Sequence, residues 1–193
     1  MMRLPESPEP IDFDATFESE GPVEVEIGFG KGRFIVTSAE AHPGTRFLGV
    51  EIRDLLAEYV ATRLAKRELK NAKVMGADAR LLMNKAVADG ALDAIHFYFP
   101  DPWWKKRHKK RRIWTSPLFE DFERTLRPGG VLHIASDVAM VYEEMRSLAA
   151  AQPLLVEDPS ADRAPLCTTN FEDKAAVVGR PVGRTAFVKR TTA

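Results

Sequence analysis

Short apolar segments alternate with longer segments of helical period along most of this chain, and this alternation restricts the fold more than any other feature. The apolar runs predict strands at residues 23–27, 46–51, 73–76, 94–99 and 131–135. Helices are predicted between them, at residues 32–42, 53–69, 79–89, 116–126 and 138–150, with short final strands at 154–156 and 185–189. Repeated β-α units predict an α/β fold with a doubly wound, mostly parallel sheet and helices on both faces. Ser116 is predicted to cap the fourth helix.

The bulk composition fits one domain. The chain has 193 residues, 45% of them hydrophobic, which is enough for one sizeable core. We expect a short N-terminal arm over residues 1–22 and a single domain over residues 23–193. Cys167 is the single cysteine, which excludes an intrachain disulfide and favours a reducing cytoplasm. No run is apolar enough to predict a signal peptide or a membrane span, and the histidines are too scattered to predict a metal site.

Closely spaced glycines follow the first predicted strand, in the order Glu26-Ile-Gly28-Phe-Gly30-Lys-Gly32. Doubly wound sheets bind ligands beyond the carboxyl ends of their strands, and glycine lets the backbone approach a ligand closely. The spacing does not fit a dinucleotide fingerprint, which would need glycine at Arg33. It does not fit a phosphate-binding loop either, which would need serine or threonine at Gly32. A tight turn without a ligand is the alternative interpretation.

Acidic residues follow the second and third predicted strands. Glu51 is placed to accept hydrogen bonds from both hydroxyls of a ribose, and Asp78 would then lie within reach of an adenine amino group. Together with the glycine loop, these acids resemble the motifs of class I S-adenosylmethionine-dependent methyltransferases. The resemblance implies a Rossmann-like methyltransferase sheet with S-adenosylmethionine as the cofactor. The cofactor contacts that it implies are Glu26, Gly28, Gly30, Glu51 and Asp78.

The loop after the fourth predicted strand reads FPDPWWKKRHKKRR, from Phe99 to Arg112. Seven of the eight residues from Lys105 to Arg112 are Lys or Arg, whereas the rest of the chain carries 21 basic against 28 acidic side chains. A basic patch on an otherwise acidic body fits contacts with phosphates rather than general adhesion to nucleic acid, and a solvated charged loop is the alternative interpretation. Trp103 or Trp104 can stack on a base, although core packing is the alternative for one of them.

The same loop resembles the signature of the bacterial tRNA (guanine-N7-)-methyltransferases. Ala135-Ser136-Asp137 and Thr169-Asn170-Phe171-Glu172 resemble two further motifs of that family. The resemblance implies methyl transfer to N7 of a tRNA guanine, expected to be the variable-loop guanine (position 46), by a cytoplasmic monomer or homodimer.

The chemistry of these residues and the family resemblance together imply individual roles. Asp101 is expected to be catalytic, by stabilising or orienting the guanine, and to border the methionine end of the cofactor. Lys105 is expected to touch the substrate nucleotide. Further pocket contacts are expected from Asp137, Thr169, Asn170, Phe171 and Glu172, and phosphate contacts from Lys106, Arg107, Lys109, Lys110, Arg111 and Arg112.

Two other functions remain open at this point. One is a methyltransferase that uses the same cofactor on another RNA or on a small molecule. The other is a non-catalytic tRNA-binding module that retains the fold. A nicotinamide-dependent oxidoreductase is disfavoured, because Arg33 stands where the dinucleotide fingerprint needs its third glycine.

Overall fold

A computed structural model describes residues 1–3, 9–17, 19–103, 106–162, 169, 177 and 179–191. Strands and helices alternate in the predicted order, preceded by one short strand and one short helix. The strands are β1 (Met2–Arg3), β2 (Val23–Ile27), β3 (Arg46–Glu51), β4 (Ala72–Gly76), β5 (Leu92–Tyr98), β6 (Leu126–Ser136), β7 (Leu155–Glu157) and β8 (Gly183–Lys189). The α-helices are α1 (Phe13–Phe17), α2 (Arg33–Ala41), α3 (Asp54–Lys66), α4 (Ala79–Leu81), α5 (Ser116–Thr125) and α6 (Ala139–Ala150).

The described strands form one sheet in the order β1-β4-β3-β2-β5-β6-β8-β7. Neighbouring strands from β1 to β6 run parallel, whereas β8 is antiparallel to both β6 and β7. The predicted mostly parallel α/β sheet is therefore confirmed. The strand order reverses at β2, where β3 and β5 lie on opposite sides, and doubly wound sheets bind ligands at such a switch point.

Apolar clusters cover both faces of this sheet. In the larger cluster, Val25 of β2 packs together with Phe119 of α5 and Met145 of α6. The smaller cluster joins α2 and α3 through Ile35 and Val60. Successive side chains of a strand point to opposite faces, so a strand buried on both faces supplies residues to both layers.

The N-terminal segment contributes to the sheet and to the core, which the sequence did not predict. β1 pairs in parallel with the end of β4. Phe13 and Phe17 of α1 are both buried and belong to the larger apolar cluster. The division into an arm over residues 1–22 and a domain over residues 23–193 stays a prediction.

The predicted helix over residues 79–89 is wrong in type and length. Only Ala79–Leu81 is α-helical, and a π-helical turn follows over Leu82–Ala86. The carbonyls of Met83 and Val87 accept hydrogen bonds from Arg124 of α5, at 2.6 and 3.0 Å. Those bonds from another element satisfy backbone acceptors that a regular helix would have paired internally.

Two helix ends differ from the prediction. α3 ends at Lys66, three residues short of the predicted end. The predicted cap of α5 is wrong, because Thr115 holds the N-cap position and Ser116 lies inside the first turn. The Ser116 hydroxyl donates to Glu120 at 3.0 Å instead. No helix in the described ranges combines the length and the apolar composition that a bilayer crossing requires.

Candidate active site

The loop between β2 and α2 holds its glycines in left-handed backbone conformations. Gly28 and Gly30 have φ of 74° and 54°. A Cβ built on either residue would meet no atom within 4 Å, so the space beside both is open. The loop is fixed by a hydrogen bond from the Gly28 N–H to the Val50 carbonyl at 2.8 Å. The backbone of this predicted cofactor loop is therefore held in place and borders open space.

Gly32 of the same motif has a structural role instead. Its φ is 68°, and a Cβ there would lie 2.5 Å from Cγ2 of Val60 in α3. The third glycine thus permits α2 and α3 to pack closely behind the loop.

Glu26, at the end of β2, is a buried carboxyl group that lacks a complete set of partners. No described residue donates a hydrogen bond to its Oε2. Burial raises the pKa of Glu26 to about 8, and the negative charge of Glu51 adds to that rise, whereas a hydrogen bond from the Ile35 backbone opposes it. A cationic ligand group would relieve this burial cost, because an opposite charge favours the ionised carboxylate.

Glu51 connects the loops that follow three neighbouring strands. Its Oε2 accepts from the Gly30 N–H at 3.1 Å, and its Oε1 accepts from the Arg53 N–H at 3.1 Å. The Glu51 carbonyl accepts from the Ala77 N–H at 3.0 Å. Its carboxylate is therefore held beside the glycine loop, at the position predicted for ribose binding.

Asp78 follows β4 and begins α4. Its side chain accepts from the Arg80 N–H at 2.9 Å and pairs with the Arg80 guanidinium at 2.7 Å. Those hydrogen bonds lower the pKa of Asp78. The carboxylate is ionised and oriented, as an acceptor for an adenine amino group would need to be.

One cleft at the switch point is lined by four of the predicted site residues. Among the predicted residues, Glu26, Gly28, Gly30 and Thr169 line it. The sequence motifs did not point to the other residues that line the cleft, although Phe29 and Lys31 lie inside the glycine motif. These other residues are Phe29, Lys31, Arg33, Phe34, Arg53, Leu56, Tyr98 and Phe99. Two more open grooves, beside β4 and beside α6, lack this convergence of glycines and buried acid.

The Pro-Asp-Pro turn after β5 is bracketed by two residues in an unusual conformation. Phe99 and Trp103 have φ of 48° and 42°, a region that residues other than glycine seldom adopt. The Phe99 N–H donates to the Ala135 carbonyl of β6 at 2.8 Å, which fixes the start of the turn. Asp101 is exposed between them, two residues beyond a side chain that lines the cleft. Such strain is typical of functional turns.

The basic run continues as a 3₁₀-helix over Lys106–Arg111 that folds back on Trp103. The Arg111 guanidinium lies 5.1 Å from the centroid of the Trp103 ring. The His108 ring packs edge-on against the Trp103 ring, with the two ring centroids 5.6 Å apart. Arg107, Lys110 and Arg111 are exposed. Trp103 is therefore engaged by the basic segment and is not buried in the core.

Arg112 has a different environment from its neighbours. Its guanidinium pairs with Glu144 of α6 at 2.9 Å, and its side chain is only 11% exposed. Trp114 Nε1 donates to the same carboxylate at 2.6 Å. This arginine anchors the basic run to α6, so it is poorly placed to reach a phosphate.

The remaining predicted substrate residues are only partly described. Asp137 follows β6 and accepts from Arg180 at 2.5 Å. Thr169 is buried in the cleft. The others lie outside the described residues (Trp104, Lys105, Asn170, Phe171, Glu172) or have side chains that are not described (Lys106, Lys109).

A buried polar cluster beside the cleft was missed in the sequence. His96 and His133 stack with ring centroids 4.8 Å apart, because β5 and β6 pair in register at these positions. His96 Nε2 lies 2.8 Å from Glu24 Oε2, and His133 Nδ1 lies 3.2 Å from Asp162 Oδ1. In the part of the chain that the structure describes, no group of three or more His, Cys, Asp or Glu side chains could hold a metal ion.

Comparison with known sequences identifies the family. A family model described as "Putative methyltransferase" matches residues 20–185. The tRNA (guanine-N(7)-)-methyltransferase of Rhodopirellula baltica is 40% identical over 202 residues, covering 98% of this chain and 74% of that protein. The enzyme of the same name from Thiobacillus denitrificans is 36% identical over 192 residues, covering 97% of this chain and 84% of its own length.

Solved structures support the fold. The aminoglycoside resistance methyltransferase NpmB1 superposes with a TM-score of 0.62 at 16% identity, covering 92% of each chain. An S-adenosylmethionine-dependent O-methyltransferase from Thermotoga maritima superposes with a TM-score of 0.61 at 14% identity, covering 97% of this chain and 69% of that one. The fold is therefore Rossmann-like, as predicted. On the sequence matches, the chain belongs to the family of tRNA (guanine-N7-)-methyltransferases.

Proposed function

We propose that this chain transfers the methyl group of S-adenosylmethionine to N7 of a guanine in tRNA, and that the target is the variable-loop guanine (position 46). One observation carries the proposal. A cleft with a glycine loop and a buried, incompletely paired Glu26 lies beside a strained turn that presents Asp101, and a basic helix follows that turn directly.

The described residues fit S-adenosylmethionine. Gly28 and Gly30 leave room for the methionine end, and Glu26 supplies a buried acid for its ammonium group. Glu51 would accept from the ribose hydroxyls and Asp78 from the adenine amino group. When bound, the cofactor supplies an electrophilic methyl group.

Guanine N7 needs positioning more than it needs a base. The atom carries a lone pair and no proton, so methylation requires alignment and stabilisation of the positive charge that develops on the purine. Asp101 is exposed two residues after Phe99, which lines the cleft. It can do this as a carboxylate, or orient the base by accepting from its N1–H and amino group. Thr169 and Asp137 would complete the guanine pocket, together with Asn170, Phe171 and Glu172.

Arg107, Lys110 and Arg111 would hold the RNA backbone, with Lys105, Lys106 and Lys109 of the same run. Arg107, Lys110 and Arg111 are exposed, and the basic run to which they belong stands out on a chain that is otherwise acidic, which favours phosphate contacts at this loop. If four to six phosphates are engaged, log affinity should fall with log salt at a slope of roughly −3 to −5. Such an enzyme would act in the cytoplasm, as a monomer or a homodimer.

The test uses labelled S-adenosylmethionine and unmodified tRNA, followed by borohydride and aniline cleavage at 7-methylguanosine. We expect one cleavage site in the variable loop of the wild-type reaction. Asp101→Ala should abolish turnover while tRNA affinity stays within a few-fold, whereas Glu40→Ala, which removes an exposed acid at the end of α2, should remain active. No cleavage with folded protein would refute the proposed function.

The same assay separates the alternatives. A tRNA whose target guanine is replaced by adenine should accept no methyl group at that site. Equal methylation of both tRNAs would indicate a different substrate. Tight tRNA binding without measurable cofactor binding in calorimetry would indicate a non-catalytic module.

A further inference from the structure

A stripe of exposed apolar side chains lies at the start of α3, next to the cleft. Ile52, Leu55 and Tyr59 are 69%, 81% and 52% exposed. Leu55 and Tyr59 are four residues apart and lie on the same face of the helix. Single exposed apolar residues are common on protein surfaces, but several adjacent ones bordering a ligand cleft indicate a contact surface. Ile52, Leu55 and Tyr59 are called the α3 stripe below.

Basic groups flank the α3 stripe. The Arg63 guanidinium lies 5.7 Å from the centroid of the Tyr59 ring, and its Nη1 donates to the Lys31 carbonyl at 2.6 Å. Lys31 and Arg53 both line the cleft, and the Arg53 side chain is 68% exposed. The stripe is therefore continuous with the cleft through cationic side chains.

The two acidic residues of α3 are placed differently relative to the stripe. Asp54 is directed to the end of β4, since a Cβ on Gly76 would lie 2.2 Å from its Oδ1. Glu58 is exposed and follows Leu55 by three positions, so it borders the stripe, about 140° around the helix axis from Arg63. The stripe thus combines an aromatic ring, aliphatic side chains and nearby cations.

We propose that the α3 stripe is a second RNA-binding surface, on which an unpaired base of the bound tRNA stacks against Tyr59 and Leu55. This inference rests on the proposed function. An aromatic ring beside a guanidinium and a basic approach is the combination that holds single-stranded nucleic acid, because every base has a stackable face and every phosphate a negative charge.

The topology explains why two surfaces are needed. β3 and β5 flank β2 on opposite sides, so α3 and the Asp101 turn border opposite sides of the cleft. RNA held only by the basic helix would be fixed at one side of the target guanine. A stacked base on the α3 stripe fixes the other side, and two-sided contact sets the orientation of the base between them.

A second copy of this chain is the competing occupant. A stable protein interface buries about 800 Å² on each partner, which is much more than three side chains supply. A partner seated there would also crowd the cleft through Lys31 and Arg53. Charge and continuity with the cleft favour RNA.

The test measures equilibrium binding of unmodified tRNA to Tyr59→Ala and Leu55→Ser over a range of salt concentrations. We expect Tyr59→Ala to raise the dissociation constant by about tenfold while the salt slope stays as in the wild type, because stacking releases no counterions. Tyr59→Trp should restore binding. Lys66→Ala, which removes an exposed cation at the far end of the same helix, should bind as the wild type does.

The outcomes separate the inference from the proposed function. Wild-type affinity in both Tyr59→Ala and Leu55→Ser, with unchanged melting temperatures, would overturn the inference even if the wild type makes 7-methylguanosine. Failure of the wild type to make 7-methylguanosine would overturn the function. A dimer in sedimentation that these variants dissociate, without loss of tRNA affinity, would assign the stripe to a second copy and also overturn the inference.

Discussion

The guanidinium of Arg111 lies 5.1 Å from the centroid of the Trp103 ring. This contact joins the end of the basic 3₁₀-helix to Trp103, the last residue of the turn that contains Asp101. Trp103 has a φ of 42°, which an unsupported chain would tend to relax. The cation–π contact therefore gives Arg111 a structural role besides its proposed contact with RNA. It helps hold the turn that presents Asp101, the proposed catalytic carboxylate.

We predict that Arg111→Lys lowers kcat by up to about tenfold, since a cation–π contact contributes about 0.5 to 2 kcal/mol and lysine stacks less well than the planar guanidinium. The positive charge remains, so the salt slope of tRNA binding should stay unchanged. Single-turnover kinetics at saturating tRNA measure the first quantity and a salt titration measures the second.

Lys110→Met provides the matched comparison, because Lys110 is the exposed neighbour of Arg111. It should weaken tRNA binding and reduce the salt slope by about 1. If Arg111→Lys changed only affinity, as Lys110→Met does, the positioning role of Arg111 would be refuted.

Gly32→Ala should destabilise the fold by roughly 2 to 4 kcal/mol, because it adds a methyl group where Val60 already lies and also imposes a positive φ on alanine. Gly90→Ala isolates the second effect. Its φ is 66°, close to the 68° of Gly32, but its Cβ would come no nearer than 3.9 Å to another atom. Urea denaturation of both variants gives the difference, and equal losses would show that the contact with Val60 is unimportant.

Two strands could be predicted to the residue from sequence. β2 and β3 match their predicted bounds, since Gly-Pro or Pro-Gly pairs precede both and each contains three large apolar residues. The positions of the glycine loop, Glu51 and Asp78 could also be predicted, because a parallel sheet brings the carboxyl ends of its strands to one edge. The local signal was sufficient wherever the neighbouring residues alone determined the conformation.

Contacts between residues that are far apart in the chain could not be predicted from sequence. The His96–His133 stack depends on the register between β5 and β6, and the π-helical turn at Leu82–Ala86 accepts a hydrogen bond from Arg124. Arg112 reads as one more member of a basic run, although its partner Glu144 is on a later helix. In each case the deciding contact comes from a distant part of the chain.

The free energy of unfolding should depend on pH through Asp162, which is hydrogen-bonded to the buried His133. Burial alone would raise its pKa, but hydrogen bonds from His133 and Arg184 lower the pKa to about 2. A carboxylate with a lowered folded-state pKa stabilises the protein above its unfolded value near 4, and that contribution disappears as the pH falls towards 2. Asp162→Asn should therefore cost about 2 kcal/mol at pH 7 and little at pH 2. A loss independent of pH in denaturation experiments would contradict this assignment.

Cofactor binding should release a proton from Glu26. Burial raises the pKa of Glu26 to about 8, so the group is largely protonated at pH 7 in the free protein. The ammonium group of S-adenosylmethionine favours the carboxylate, which lowers that pKa and expels the proton, so affinity should rise as the pH increases to about 8. Calorimetry at pH 7 in buffers of different ionisation enthalpy should report release of nearly one proton. Glu26→Gln should bind more weakly and release none, whereas equal proton release by both proteins would exclude Glu26 as the source.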